Sequence, residues 1–292
     1  MTGLSEISAN LSGPWLVGAL AGIGLVVGVL TGLFGVGGAF LIVPVLNIAL
    51  GIPYTLATGS SMSFTLGTGA AGWARHMRLG NVAVKTMTIL SGAAACGTVL
   101  GADLHACLRH CLGQRTFTLT MHGLFIVALA ATAWLVFAWS PRERQGPSLL
   151  QRFALGPRIH IRQADMPGVS LPGLCLAGLA VGVLKGLLGI GGGVLLMPLM
   201  LVVVGLEIRQ AVGTSLGVVL FSSLVGAVVY GQGGHASLWI VMPLLAGSIV
   251  GVQAGTWMCH RLHAQHIRRY FALLVLLVIV VVGWDFVRKM AS

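Results

Sequence analysis

Apolar residues fall in ten runs: 14–33, 38–50, 55–74, 82–102 and 117–139, then 171–189, 193–205, 209–230, 237–258 and 268–287. A helix rises 1.5 Å per residue, so about 20 residues cross a hydrocarbon layer. Eight runs reach or approach that length, whereas the second and the seventh are short and each carries a proline, Pro44 and Pro198. These two are expected to be half-helices or re-entrant segments. In a bilayer their free backbone groups need a cover of protein or a water-filled cavity. The stretch 140–170 interrupts the pattern with Arg142, Arg144, Arg152, Arg158 and Arg162 and with Pro141, Pro147, Pro157 and Pro167. The expectation is an all-α, polytopic transmembrane protein of about eight to ten membrane segments. Its first membrane repeat is 1–140, its basic cytoplasmic linker 141–170 and its second membrane repeat 171–292.

The two sets of runs repeat. GVLTGLFGVGGAFLIVPVL begins at Gly28 and GVLKGLLGIGGGVLLMPLM at Gly182, 154 positions later. The same offset pairs Gly51 with Gly205, Ser61 with Ser215, Gly80 with Gly234 and Gly101 with Gly255. An ungapped register this long points to duplication, and internal repeats are a hallmark of secondary transporters.

Composition removes the soluble alternative. Only 8% of the 292 residues are charged, against about 25% in a soluble domain. The net charge of +11 comes from basic residues set between apolar runs, with no basic patch interleaved with aromatics. They orient the chain in a membrane rather than bind nucleic acid. Five cysteines, an odd number with no CxxC pair, make no disulfide framework. Residues 1–13 hold Glu6 and no Lys or Arg. They lack the basic start of a cleavable signal peptide, so the first run is expected to stay as a membrane helix.

Charge then sets an orientation. With an odd number of crossings per half and both termini outside, twelve of the 17 basic residues fall inside. These are Arg75, Arg78, Lys85, the five linker arginines, Arg209, Arg261, Arg268 and Arg269. Arg109, Arg115, Arg288 and Lys289 fall outside. An even count does no better than ten against six. The positive-inside rule favours the odd count, which inverts one half relative to the other.

The chemistry centres on two glycine clusters, Gly35-Val36-Gly37-Gly38 and Gly189-Ile190-Gly191-Gly192-Gly193. Each ends an apolar helix and precedes a short proline-bearing run. A helix restarting there offers free N–H groups and a positive dipole end, which suits an anion. Inverted copies are expected to meet near the bilayer midplane. Lys185 lies just before the second cluster in an apolar run, where a lysine is by default functional. Its repeat mate is Thr31. Thr58, Ser60 and Ser61, matched by Thr214 and Ser215, open the third and eighth runs and offer hydroxyl donors. The competing role for these residues is helix capping, and for the glycines close helix packing. No Asp or Glu falls in the middle of an apolar run, since Asp103, Glu207 and Asp285 sit at segment ends. An anion is therefore a better substrate than a cation.

The paired GLFGVGGAFLIVPVL and GLLGIGGGVLLMPLM, each followed by Gly59-Ser60-Ser61 or Gly213-Thr214-Ser215, resemble the TauE/SafE family of sulfite exporters. The resemblance implies a multi-pass permease of the bacterial inner membrane. Its substrate would be a small sulfur-containing anion such as sulfite, thiosulfate or sulfoacetate. The substrate site is then expected to use Lys185, Thr31, Gly35, Gly37, Gly38, Gly189, Gly191, Gly192, Gly193, Ser60, Ser61, Thr214 and Ser215. Two alternatives are an anion channel and an intramembrane serine hydrolase built on Ser215, whose surroundings match GxSxG. His105, Cys107, His110 and Cys111, like Cys259, His260, His263 and His266, fit no strong zinc spacing. No metal or cofactor is expected.

Overall fold

A computed structural model describes residues 14–138, 158–161, 166–189 and 193–291. The first half comprises α1 (Pro14–Phe34), α2 (Ala39–Pro44, continued by a π-helical turn Val45–Ala49), α3 (Tyr54–Arg78), α4 (Val84–Cys111) and α5 (Gln114–Ala138). The second comprises α6 (Leu171–Leu188), α7 (Gly193–Leu199, continued by a π-helical turn Met200–Val204), α8 (Ile208–Gln232), α9 (Leu238–Arg261) and α10 (Ala264–Ala291). Among the described residues, seven helices are long and apolar enough to cross a membrane, namely α1, α4, α5, α6, α8, α9 and α10. α2 and α7 are the two short apolar helices. The membrane body is all-α. In the stretch read as linker, β1 (Arg158–Ile161) pairs antiparallel with β2 (Met166–Ser170). Arg142, Arg144, Arg152 and Arg162 lie outside the described residues. Ser170 then caps α6, its hydroxyl accepting the Gly173 N–H at 3.3 Å.

Helices from opposite halves hold the bundle together. α1 packs along α9, with Gly24, Gly28 and Gly32 seated on the backbones of Leu244, Ser248 and Val252. In return Gly247, Gly251 and Gly255 of α9 sit on the carbonyls of Ala21, Leu25 and Val29. The residue numbers rise together, so the two helices are parallel. α6 packs along α4 in the same way, with Gly178, Gly182 and Gly186 against Leu90, Ala94 and Thr98. Lipid tails give no hydrophobic drive for helices to pair, so close backbone contact through small residues supplies it. The packing role weighed against a site role for glycine therefore applies to these positions.

α3 and α8 pack antiparallel: Gly59 lies by Tyr230 and His235, Gly69 by Leu216 and Leu220, and Gly213 by His76. α5 and α10 are antiparallel too, with Arg115 at the Lys289 carbonyl and His122 at Asp285. These directions separate the charges. Arg209 Nη2 donates to the His260 carbonyl at 2.8 Å, and Asn81 meets the His260 ring at 2.9 Å, at one end of the bundle. Arg109 meets His235 at 3.3 Å at the other.

Candidate functional site

α1 ends where Gly35, Gly37 and Gly38 take φ values of 73°, 76° and 77°, a left-handed backbone that costs glycine nothing. α6 ends at Gly189, φ 68°, whose N–H closes the last turn on the Lys185 carbonyl at 2.9 Å. After the first break the Leu41 and Ile42 amides return to the Gly38 carbonyl, which starts α2. Gly191 and Gly192 lie outside the described residues.

The two breaks touch. Gly193, the first residue of α7, lies so close to the Val36 carbonyl that a β-carbon there would overlap it. Gly37 packs against the side chains of Val219 and Thr65, from the middles of α8 and α3. Gly38 packs against Val27, Thr31 and Phe64.

A helix stopped inside the bundle leaves its last carbonyls without amide partners, and buried carbonyls need donors. At the end of α6 the side chains supply four. Tyr230 Oη donates to the Gly186 carbonyl at 2.6 Å and His105 Nδ1 to Leu187 at 2.7 Å. Tyr54 Oη donates to Leu188 at 3.0 Å and Ser61 Oγ to Gly189 at 2.8 Å. At the end of α1, His76 Nε2 donates to the Gly32 carbonyl at 3.3 Å and Ser215 Oγ to Gly35 at 2.8 Å. A carbonyl only accepts, so each of these imidazoles carries its proton on the named nitrogen.

Lys185 is 1% exposed. Its Nζ donates to the Ser222 hydroxyl at 2.6 Å, the Ser223 hydroxyl at 2.7 Å and the Val219 carbonyl at 3.0 Å. All three partners are neutral. Val219 thus gives its carbonyl to Lys185 and its side chain to Gly37, which joins the lysine to the first break. Ser222 and Ser223 carry no motif and were not singled out from the sequence. Their signal is spacing, because Val219, Ser222 and Ser223 lie on one face of α8.

The other expected hydroxyls divide. Ser61 and Ser215 lie at the breaks but donate to backbone carbonyls, as above. Ser60 accepts the Ser237 N–H at 3.1 Å and Thr214 accepts the Ala83 N–H at 3.0 Å, so both fasten loops of the opposite half. Thr31 donates to the Val27 carbonyl at 2.8 Å within α1. Thr58 is fully buried beside Gly189, and its hydroxyl has no hydrogen-bond partner among the described residues. Of the histidine and cysteine clusters, His105 and Cys259 are buried while Cys107 and Cys111 are exposed. The expectation that the acids sit at segment ends is revised for two of them: Asp103 lies inside α4, exposed. α10 runs on to Ala291, so Asp285 lies inside that helix and is 8% exposed.

The family model described as sulfite exporter TauE/SafE matches residues 20–282. A probable membrane transporter protein of Bacillus subtilis, YdhB, is 26% identical over 78% of this chain and 84% of its own length. A second from that organism, YunE, is 24% identical over 88% of this chain and 93% of its own. A probable membrane transporter protein of Haemophilus influenzae is 28% identical over 90% of this chain and 94% of its own. No solved structure matches. With its apolar helices and its match over nearly all of the membrane body, this multi-pass membrane transporter belongs to the sulfite exporter TauE/SafE family.

Proposed function

We propose that the protein is a secondary carrier that exports a small anion, a sulfur oxyanion or an organosulfonate, through the point where the two glycine breaks meet. The observation that carries this reading is Lys185, an ammonium buried among neutral hydroxyl and carbonyl groups. A charge taken out of water costs several kcal/mol unless a counter-charge arrives. An oxyanion supplies that charge, and its several oxygens suit the two serine hydroxyls beside the lysine. The helix starts after the breaks add amide donors of the right sign. The unpartnered hydroxyl of Thr58 is a further donor beside Gly189.

The architecture we infer is two inverted repeats, 1–140 and 171–292, joined by a cytoplasmic linker at 141–170, in the bacterial inner membrane. Antiparallel packing between the repeat-equivalent helices α3 and α8, and between α5 and α10, supports inversion. In this frame α1 and α2 form a re-entrant hairpin, as do α6 and α7, and three helices per half cross. The end bearing Arg75, Arg209 and Arg261 faces the cytoplasm by the positive-inside rule. Ser215 Oγ, the nucleophile of the hydrolase alternative, donates to the Gly35 and Val212 carbonyls, which fits a helix-end cap.

The test is uptake by proteoliposomes of radiolabelled sulfite, thiosulfate and sulfoacetate, with chloride as the comparison. Saturable uptake with counterflow is expected for at least one sulfur anion. Unsaturable flux without counterflow would replace the carrier with a channel, and no flux of any of them would overturn the substrate class.

A further inference from the structure

Outside the glycine breaks, one buried titratable cluster stands out. His122 of α5 is 3% exposed, and both of its ring nitrogens face acceptors. Nδ1 lies 2.8 Å from the Thr118 carbonyl and Nε2 lies 3.3 Å from Asp285 Oδ2 on α10. Lys289 Nζ lies 2.7 Å from the same carboxylate oxygen and 3.2 Å from Asn47 Oδ1 on α2. The other titratable or charged groups around the ring are Tyr54 of α3, centroid to centroid at 5.8 Å, and His105 of α4, on the Tyr54 ring at 6.3 Å. Arg115 in the first turn of α5 donates to the Lys289 carbonyl. A small cavity opens against the ring, lined also by Val43, Pro44, Asn47, Phe125 and Val282.

Resting on the anion-carrier reading, we propose that His122, paired with Asp285 beside this cavity, is the proton-binding site that couples anion movement to the proton gradient. One ring nitrogen is hydrogen-bonded to the Thr118 carbonyl and the other lies at ion-pair distance from the Asp285 carboxylate, an arrangement served by the imidazolium, whose two N–H groups share one positive charge. Histidine ordinarily changes charge near neutral pH, and the cavity gives water a place against the ring. When the Nε2 proton leaves to that water, Nδ1–H stays on the Thr118 carbonyl. A nitrogen lone pair then faces the carboxylate, and the α5–α10 contact opens. With the proton on, His122, Asp285 and Lys289 together carry one positive charge. With it off they are neutral.

The cluster reaches both breaks. Through Lys289 and Asn47 it holds the turn that follows α2. Through the Tyr54 ring it touches the side chain whose hydroxyl holds the Leu188 carbonyl, one residue before Gly189. Proton and anion are then bound at separate places joined by two short chains of contact. Coupling between sites requires such a shared two-state element.

The test uses the full chain with His122→Gln, which keeps polarity but does not titrate. Radiolabelled sulfite is the probe in proteoliposomes, and an entrapped pH dye reads proton movement. Wild-type protein is expected to accumulate sulfite when the lumen is the more acidic side and to move protons out in exchange, the direction in which an inward proton gradient drives export. His122→Gln is expected to lose both by at least about tenfold while sulfite counterflow at equal pH stays within about threefold. Gradient-driven accumulation at the wild-type level, or equal loss of accumulation and counterflow, would overturn the proposal. An infrared titration of purified protein between about pH 5 and pH 8 needs no anion. The imidazole band change should shrink in His122→Gln by the share of one of the nine histidines, and identical titrations of the two proteins would overturn the proton site. Absence of sulfite counterflow in the wild type with this band change intact would instead count against sulfite as the anion and sustain the proton site.

Discussion

Val36 and Gly193 touch backbone to backbone, although they belong to different halves of the chain. No side chain lies between them, so the contact fixes how closely the two breaks approach. A β-carbon at Gly193 has nowhere to go, because its obstacle is a carbonyl rather than a movable side chain. Gly193→Ala is expected to cost about 1–3 kcal/mol, the usual price of overfilling a packed interior. Gly92→Ala, at a position with nothing within 4 Å, is the control and should be neutral. Thermal unfolding in detergent checks both. A Gly193→Ala protein with wild-type stability and transport would show that the contact carries no constraint.

Lys185→Met keeps the length of the side chain and removes its charge. Anion affinity is expected to fall by about tenfold or more, equivalent to about 1.4 kcal/mol. Lys85→Ala, which removes a charge from the exposed first turn of α4, should change affinity little. Half-saturation for sulfite counterflow is the measurement. Equal effects of the two substitutions would remove Lys185 from the site.

Tyr54→Phe leaves the Leu188 carbonyl buried without its donor. The expected cost is about 1–3 kcal/mol, read as a fall in thermal midpoint of about 2–4 °C per kcal/mol. Tyr270→Phe, with that tyrosine 47% exposed, should leave the midpoint unchanged. Equal midpoints for Tyr54→Phe and wild type would show that water replaces the hydroxyl at that carbonyl.

In the inverted arrangement proposed above, the loop after α3 and the loop after α8 lie on opposite faces. In a chain with Cys96, Cys107, Cys111, Cys175 and Cys259 replaced, Leu79→Cys and Gln232→Cys are expected to react with an impermeant maleimide from opposite sides of the membrane. Labelling of both from one side would exclude inversion.

Most of the helical frame was legible because membrane helices announce themselves by length and apolarity. The run 193–205 became α7 and its π turn to Val204, and 209–230 became α8 with one or two residues added at each end. Where polar side chains crowd a helix end, the runs stopped short. Arg75 to Arg78 hid the last turn of α3, and Arg288 and Lys289 hid that of α10. The pairing of the breaks followed from the glycines and the repeat. The partners of Lys185 did not, because a serine in an apolar helix reads equally as a hydroxyl bonded to its own backbone. Ser222 does both, donating to Val218 while it accepts from Lys185. The cap of α6 was hidden for another reason. Tyr54 and His105 have Ile208 and Cys259 as repeat mates, so the duplication gives no hint of them.

The pairing of α1 with α9 also bears on how the molecule is made. Gly24 meets Leu244, a residue translated 220 positions later. When α1 enters the membrane its glycine-lined face has no counterpart, and it must wait in lipid while eight further segments emerge. α4 waits a shorter time for α6. The bundle closes only near the end of synthesis. A chain cut within the linker therefore yields a first fragment whose two grooved helices lack the surfaces made to receive them.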